Sequence, residues 1–275
     1  MKKIGIQGIK GSFHHEVAEL LYKETSFEVI PFHTFDGLAK AVVDGSIAEA
    51  VMAIENSIAG SILPNYALLD RHDLAIVGEH HLGIHHQLMC LPNQNLAQLQ
   101  EVHSHPMALL QCARFFDAHP HIRLVEAFDT AAMAKEIMEK QLHGVGAIAS
   151  TQAATLYELN IVAHSIQTIQ DNVTRFVRVT QQQHVKENQE ASKAALKFIL
   201  DHQRGSLATV LNVMSDCQLN LTKIQSLPVI ETPGKYAFFV DVTFDSLAQY
   251  EKAAAVLKIM AQQFKVLGVY KNGQR

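Results

Sequence analysis

A hydroxyl, a guanidinium and an aromatic ring stand side by side in residues 171–176, whose sequence is Asp-Asn-Val-Thr-Arg-Phe. An arginine side chain can hold a carboxylate through two parallel hydrogen bonds, and a threonine hydroxyl can donate or accept a hydrogen bond beside it. Such a tripeptide also occurs by chance in many strands, where the arginine is a solvated surface residue. The hypothesis of an anion-binding corner at Thr174, Arg175 and Phe176 therefore depends on other polar segments of the chain.

Two of these segments are predicted to follow strands. Glu55-Asn56-Ser57 comes directly after the apolar run 50–54, at the edge of an α/β sheet where ligands bind. The loop Gly8-Ile9-Lys10-Gly11-Ser12 lies between a strand and a helix, so that its amides suit an anion and Ser12 is a predicted N-cap. The loop lacks both the Gly-x-Gly-x-x-Gly pattern and the Lys-Ser/Thr of a phosphate loop, and no nucleotide cofactor is expected.

Alternating strands and helices must position these segments. The pattern over 3–54 predicts a parallel α/β sheet, and a second α/β cycle follows up to the strand 146–149. Residues 181–193 contain almost nothing to bury and are predicted to be a linker. Beyond them the order is strand, helix, two strands, helix and strand, which is typical of a small ferredoxin-like domain.

Composition excludes several classes of function. The chain has 275 residues, a net charge of −4 and no basic cluster, so neither nucleic acid nor an anionic membrane surface is an expected partner. The N-terminus does not match a signal peptide and no stretch reaches the ~20 apolar residues of a membrane span, which predicts a cytoplasmic protein. Three widely spaced cysteines favour reduced thiols over disulfides or a zinc site.

The chain has 16 histidines, and the run His80, His81, His85 and His86 raises the question of a metal site. Neighbouring residues of a strand point to opposite faces, so these four side chains cannot all converge on one ion. No metal and no other cofactor is therefore predicted.

Five motifs follow one another along the chain: residues 8–14 (Gly-Ile-Lys-Gly-Ser-Phe-His), 54–61 (Ile-Glu-Asn-Ser-Ile-Ala-Gly-Ser), 104–112 (Ser-His-Pro-Met-Ala-Leu-Leu-Gln-Cys), 147–150 (Ala-Ile-Ala-Ser) and 171–176. Together they resemble the motifs of the prephenate dehydratase family followed by an ACT regulatory domain. The resemblance implies a catalytic module of two α/β lobes, similar to a periplasmic binding protein, over 1–180. Lobe 1 would comprise about 1–77 and 164–180, lobe 2 about 78–163, and the ACT domain 194–275 after the linker 181–193.

The family's reaction converts prephenate to phenylpyruvate, through loss of carbon dioxide and the ring hydroxyl, and requires neither a nucleophile nor a metal. We expect Arg175 to hold the carboxylate that stays and Thr174 to align the departing hydroxyl. Glu55 is the candidate proton donor, on condition that burial raises its pKa above ~4.3. The catalytic candidates are Thr174, Glu55, Asn56 and Ser57; the substrate-binding candidates are Arg175, Phe176, Ser104, Gln111, Ser12 and Phe13.

Three positions leave alternatives open. Ser104 is equally a candidate N-cap for the helix that starts near Pro106, and Gln111 could simply be exposed. His14 stands where the commoner family pattern has a serine, so its contribution is not predicted.

The ACT resemblance implies effector candidates Gly205, Ser206, Leu207, Asn220, Gln225 and Ser226, with L-phenylalanine as the effector and a homodimer or homotetramer as the assembly. The family's glutamate and arginine are replaced by Gln225 and Leu227. We therefore expect phenylalanine inhibition to be weak or absent. Two alternative functions stay open, arogenate dehydratase and a non-catalytic amino-acid sensor, because solute receptors share the two-lobed fold.

Overall fold

The structure is a computed structural model that describes residues 1–201, 203–229, 232 and 234–273. Its helices are α1 (Phe13–Tyr22), α2 (Phe35–Val43), α3 (Leu63–Arg71), α4 (Pro106–Gln111), α5 (Ala113–Asp117), α6 (Thr130–Lys140), α7 (Thr151–Leu156), α8 (Ser206–Asp216) and α9 (Leu247–Met260). Its strands are β1 (Lys2–Gln7), β2 (Phe27–Phe32), β3 (Glu49–Asn56), β4 (Gly60–Ser61), β5 (Leu74–Gly83), β6 (Gln87–Cys90), β7 (Glu101–Ser104), β8 (Arg123–Glu126), β9 (Val145–Ala149), β10 (Asn160–Ala163), β11 (Val173–Gln181), β12 (Lys193–Ile199), β13 (Asn220–Pro228), β14 (Tyr236–Thr243) and β15 (Gln263–Tyr270).

The strands form three sheets. The first has the order β2-β1-β3-β11-β5, with β4 on β3; the second is β10-β6-β9-β7-β8; the third is β13-β14-β12-β15. In the first sheet β1 runs parallel to β2 and β3, as the alternating pattern predicts. The second sheet is mixed, because β7 is parallel to β8 and β9, whereas β6 is antiparallel to both of its neighbours, β9 and β10. The predicted α/β fold class with two lobes and a C-terminal domain is confirmed.

The chain divides into two compact units. The first comprises 1–61 and 81–176, and the second comprises 62–80 and 177–275. The first unit contains every predicted catalytic and substrate-binding residue, and the second contains the predicted effector residues.

Alternation along the strands explains how the second sheet is covered on both faces. Leu88 and Cys90 of β6 face a cluster that includes Leu109 of α4, whereas Met89 faces a cluster that includes Ile137 of α6. Successive strand residues point to opposite faces, so both faces of this sheet are buried beneath helices. The short apolar runs of the sequence are typical of such a strand.

Helices α8 and α9 pack against one face of the C-terminal sheet, and on the other face the Tyr66 ring of α3 contacts the Phe239 ring of β14, with centroids 5.5 Å apart. The order β12, α8, β13, β14, α9, β15 confirms the predicted βαββαβ arrangement. Strand β13 alternates exposed and half-buried residues along its whole length, whereas β12 is almost entirely buried. The core of this domain includes Phe198, Met214 and Leu257, which are each about 1 % exposed.

Lys193, which falls in the predicted linker, begins β12 and is 3 % exposed. The three cysteines are buried free thiols, and burial raises the pKa of Cys112 to about 12. Among the described residues, no helix is both long enough and apolar enough to cross a membrane.

Candidate active site

The predicted site residues meet at one edge of the first sheet. Strands β1 and β3 are parallel, with Ile6 opposite Val51, so the glycine loop after β1 and the last residues of β3, Glu55-Asn56, both lie toward the carboxyl edge of the sheet. The start of β11 joins them there: the backbone amide of Ser57 donates to the carbonyl of Val173 at 2.8 Å, and the Val173 amide donates to the Ser57 hydroxyl at 2.9 Å. Ser57, a predicted catalytic residue, therefore fastens β11 to the end of β3.

Asn56 is the centre of the polar contacts at this edge. Its Nδ2 donates to Oδ1 of Asn172 at 2.7 Å and to Oγ1 of Thr174 at 2.9 Å. Its Oδ1 accepts from the backbone amides of Ile58 at 2.9 Å and Ala59 at 2.8 Å. Backbone amides can only donate, so these two bonds fix which end of the Asn56 amide is oxygen.

The Thr174 hydroxyl is oriented so that it can donate a hydrogen bond. Thr174 is 8 % exposed, and its Oγ1 accepts the hydrogen bond from Asn56. With an acceptor position occupied in this way, the hydroxyl proton points away from Asn56 and is available to another acceptor. This arrangement suits a group that aligns and stabilises a departing oxygen.

Gln111 brings the second lobe into the same set of contacts. Its Oε1 accepts from Nδ2 of Asn172 at 3.0 Å and lies 2.8 Å from Nε2 of His86. The His86 ring meets the ring of Phe13 edge to face, with centroids 5.8 Å apart. Burial lowers the pKa of His86. Gln111 is thus held between the lobes, and the alternative of a simply exposed side chain is wrong.

Arg175 is buried beside Glu55. The Arg175 side chain is 6 % exposed and that of Glu55 is 36 % exposed, with Nη1 and Oε2 3.7 Å apart. An exposed fraction of this size leaves the Glu55 carboxylate in contact with solvent. The burial on which the proton-donor hypothesis for Glu55 depends is therefore not found.

Phe176 and His14 pack together behind the site. Phe176 is 1 % exposed, and its ring meets that of His14 edge to face, with centroids 5.0 Å apart. His14 Nε2 accepts from the backbone amide of Ala53 at 3.3 Å, and burial lowers the pKa of His14 to about 3. Because its ring is enclosed, Phe176 supports the neighbouring strand instead of offering a surface to substrate. The unpredicted contribution of His14 is to pair with β3.

The predicted N-cap at Ser12 is confirmed. Its hydroxyl oxygen accepts from the backbone amide of His15 at 3.3 Å at the start of α1, and the residue is 5 % exposed. Phe13, the next residue, is half-buried and contacts His86. Of these two substrate-binding candidates, Phe13 is the one with exposed surface.

Two hydroxyl groups of the second lobe donate hydrogen bonds to the backbone of the glycine loop. Gly8 and Gly11 have φ values of 88° and 89°, a region that glycine enters without steric cost. The Ser150 hydroxyl donates to the carbonyl of Gly11 at 2.7 Å, and the Tyr157 hydroxyl donates to that of Lys10 at 2.6 Å. The backbone turn therefore presents two carbonyls to the opposite lobe.

Ser104 does not occupy either predicted role. It is fully buried, and its hydroxyl donates to the carbonyl of Ile148 at 2.8 Å, which links β7 to β9. The N-cap of α4 is His105, whose Nδ1 accepts from the amide of Met107 at 3.2 Å. The N-cap expectation for Ser104 was displaced by one residue, and a ligand cannot reach its side chain in this structure.

Two residues that hydrogen-bond to the predicted site residues, Asn172 and His86, were not themselves predicted. Asn172, 1 % exposed, lies within the motif at 171–176, so its position near Thr174 in the sequence is the signal that could have predicted it. His86 belongs to the histidine run considered for metal binding. Across the residues that the structure describes, no group of three or more His, Cys, Asp or Glu side chains is placed to hold a metal ion.

Comparison with known proteins assigns this arrangement to a family. A sequence model described as prephenate dehydratase matches residues 4–184, which include every residue of the site. The chain belongs to the prephenate dehydratase family. The predicted resemblance is thus confirmed over the catalytic module, whereas the ACT identity of the C-terminal domain stays a prediction.

Individual relatives cover almost the whole chain. Arogenate dehydratase/prephenate dehydratase 2 of Arabidopsis thaliana is 37 % identical over 98 % of this chain and 72 % of its own length. Prephenate dehydratase of Bacillus subtilis is 32 % identical over 99 % of both chains. The chain is thus similar to family members named for either substrate.

Two solved structures share the fold over 98 % of this chain, each with a TM-score of 0.87. One is the Arthrobacter aurescens prephenate dehydratase in complex with L-phenylalanine, which is 25 % identical and matched over 90 % of its chain. The other, GqqA, is described as a novel type of quorum-quenching acylase and is 27 % identical, matched over 98 % of its chain.

The predicted effector residues of this prephenate dehydratase family member lie in two places. Ser206 and Leu207 line a cavity of about 110 Å³ together with Leu200, Asp201, Gln203, Gly234, Lys235, Tyr236 and Phe238. Gly205, with a φ of 87°, immediately precedes α8. Asn220, Gln225 and Ser226 lie on β13 and are not among the described residues that line this cavity.

Proposed function

We propose that the protein catalyses the decarboxylating dehydration of prephenate to phenylpyruvate, a step of L-phenylalanine biosynthesis. The observation that carries this proposal is the hydrogen bond that Asn56 Nδ2 donates to the Thr174 hydroxyl at 2.9 Å, because it directs the hydroxyl hydrogen away from Asn56. Thr174 is adjacent in sequence to the buried guanidinium of Arg175. A donor next to a fixed cation suits a substrate with two carboxylates and one departing hydroxyl.

The reaction needs one proton and no external electrons. The bond between the ring and its carboxylate breaks, carbon dioxide departs, and the electron pair moves through the ring to expel the hydroxyl, which leaves as water after taking a proton. Aromatisation supplies the driving force. Thr174 donates a hydrogen bond to the departing oxygen, and the bond that Oγ1 accepts from Asn56 strengthens that donation.

Arg175 holds the carboxylate of the pyruvyl arm. A tight pair with the ring carboxylate would stabilise the ground state and oppose the loss of carbon dioxide. The position of Glu55, 3.7 Å from the Arg175 guanidinium, supports a role in orienting that group better than a role as the acid. Gln111 and Asn56 contribute neutral contacts, so that charge in the site comes from Arg175 and Glu55.

The decisive experiment measures product formation from two substrates. Purified protein is incubated with prephenate, and phenylpyruvate is measured by its absorbance in alkali; arogenate is tested side by side by the formation of phenylalanine. A higher kcat/KM for prephenate is expected. A higher value for arogenate would favour the activity for which several relatives are named, and no product from either would favour a sensor.

Regulation is proposed to be weak. The cavity of about 110 Å³ beside α8 is smaller than the ~150 Å³ cavity known to hold benzene, and the two charges of the usual effector motif are replaced by Gln225 and Leu227. We expect isothermal titration to show no micromolar binding of L-phenylalanine. A homodimer or homotetramer and a cytoplasmic location complete the proposal; light scattering and fractionation test them.

A further inference from the structure

The hydrogen bonds around Asn56 have a direction that the backbone sets. Because Ile58 and Ala59 donate to Oδ1 of Asn56, its Nδ2 must be the donor to Oδ1 of Asn172. The other end of the Asn172 amide, Nδ2, is then the donor to Oε1 of Gln111. Each side-chain amide in this series of hydrogen bonds is oriented by the one before it. The first is oriented by two backbone N–H groups, which can only donate.

That direction determines the tautomer of His86. The Oε1 atom of Gln111 is an acceptor only, and it lies 2.8 Å from Nε2 of His86. His86 must therefore carry a proton on Nε2. Burial lowers its pKa, so the ring is neutral and its Nδ1 has no proton. Among the residues that the structure describes, none offers a hydrogen bond to that buried Nδ1 atom.

We propose that His86 is a positioning residue of the active site: as the neutral Nε2-protonated tautomer it fixes the amide of Gln111, so that the Gln111 Nε2 hydrogens are presented to the substrate as donors. Two donors converge on one oxygen, Nε2 of His86 and Nδ2 of Asn172, and leave the NH₂ end of Gln111 for a ligand. Without His86, the Gln111 amide could rotate and present its oxygen to an anionic substrate. The proposal rests on the proposed function, since its benefit is the binding of a dianion.

The packing around His86 supports a fixed ring. The residue is 4 % exposed, and its backbone amide donates to Oε1 of Gln167 at 2.9 Å. The ring of Phe13 meets it edge to face at an interplanar angle of 79°. A side chain held in this way loses little entropy when it orients a neighbour, which is what a positioning residue requires.

The first test is a series of variants that separates the donor from the packing. His86→Leu removes the Nε2 donor, whereas His86→Gln places an amide NH₂ near the same position. We expect kcat/KM to fall about 10- to 100-fold in His86→Leu, and to stay within about threefold of wild type in His86→Gln. Equal losses in both variants would overturn the proposal. His164→Leu, at an exposed position of the same unit, is the matched control.

A double-mutant cycle excludes a merely structural effect. If His86 acts through Gln111, then His86→Leu has no further effect on kcat/KM once Gln111→Leu is present. Independent, additive losses would contradict the proposal even if every variant folds. Thermal unfolding of each variant is recorded alongside, because a common fall in Tm would explain a loss without any role for orientation.

A spectroscopic measurement separates failure of this inference from failure of the proposed function. In a ¹⁵N-labelled wild-type protein, the imidazole signals of His86 should show a protonated Nε2 and a bare Nδ1 at neutral pH. A protonated Nδ1 would overturn the inference whatever the enzyme's substrate. If the tautomer is as expected but wild type converts neither prephenate nor arogenate, the proposed function fails and the internal orientation of Gln111 stands.

Discussion

The two compact units bury polar groups in different ways. In the first unit, Asn56, Asn172, Gln111 and Thr174 form a chain of neutral hydrogen bonds. In the second unit, Lys193 Nζ lies 3.0 Å from both carboxylate oxygens of Glu79, with side chains 4 % and 0 % exposed. The buried polar groups of the first unit are thus amides and a hydroxyl, whereas those of the second unit are an ammonium group and a carboxylate.

The two kinds of buried polar group differ in whether they have donors left for a ligand. Glu79 accepts from Lys193 and also from the backbone amide of Gly273 at 3.0 Å, so the pair compensates its own desolvation. Among the described residues, the hydrogen bonds within the neutral chain leave the Thr174 hydroxyl and the Gln111 NH₂ group as donors that have no acceptor. A buried ion pair whose acceptors are occupied in this way has a structural role, whereas the donors of the neutral chain suit the ligand contacts that we propose.

The largest expected effect comes from breaking the ion pair. Lys193→Met leaves the Glu79 carboxylate buried without its partner, and we expect a loss of about 3–5 kcal/mol in the free energy of unfolding. Urea denaturation followed by fluorescence or circular dichroism measures it. The matched control is Lys271→Met, which removes an exposed pair with Glu190 and should leave stability unchanged. If Lys193→Met were as stable as wild type, the pair would have no structural role.

The next largest effect tests whether the chain of neutral hydrogen bonds takes part in the reaction. Thr174→Val keeps the shape of the side chain but removes the hydroxyl, and we expect kcat to fall about 10²- to 10³-fold. The initial rate of phenylpyruvate formation at saturating prephenate measures it. Thr155→Val, on the exposed side of α7, is the control. A variant with nearly full kcat would show that the hydroxyl does not act on the departing oxygen.

Acid should lower the stability of the folded protein, because the pKa of His14 in the first unit differs between the folded and unfolded states. Its pKa is lowered to about 3 in the folded protein, against 6.5 in the unfolded chain, so the unfolded state binds the extra proton. Stability then rises with pH in this window, and wild type should lose about 2 kcal/mol between pH 7 and pH 5 from this group. His14→Gln keeps an acceptor for the Ala53 amide but does not titrate. Parallel pH curves for the two proteins would contradict the assignment.

The outline of both units could be predicted from the sequence because local patterns determine it. The apolar run before Glu55 predicted β3, and Ser12 was correctly predicted to cap α1. The order of elements after 193 was sufficient to predict the βαββαβ domain. Each of these features depends on residues close together in the chain.

The features that the sequence did not reveal depend on contacts between residues that are far apart in the chain. Ser104 has the right residue type for a cap or a ligand contact, but its hydroxyl bonds to Ile148, which is 44 residues away. Lys193 has the polarity of a linker, and its burial follows from Glu79, which is 114 residues away. His86 was considered only as one of four histidines, because nothing local reveals its bond to Gln111. A polar residue's partner at long range is what the sequence does not show.

The smallest expected effect concerns Glu55, which is intermediate between the two kinds of buried group. Its partner Arg175 is enclosed, but the Glu55 side chain is 36 % exposed, so solvent screens their interaction. Glu55→Gln should therefore lower kcat/KM less than about tenfold, mainly through KM, because it loosens the guanidinium without removing a proton donor. A pH–rate profile of both proteins checks this. A kcat loss beyond 100-fold together with a missing acidic limb would return Glu55 to the role of general acid and leave Thr174 to align the hydroxyl alone.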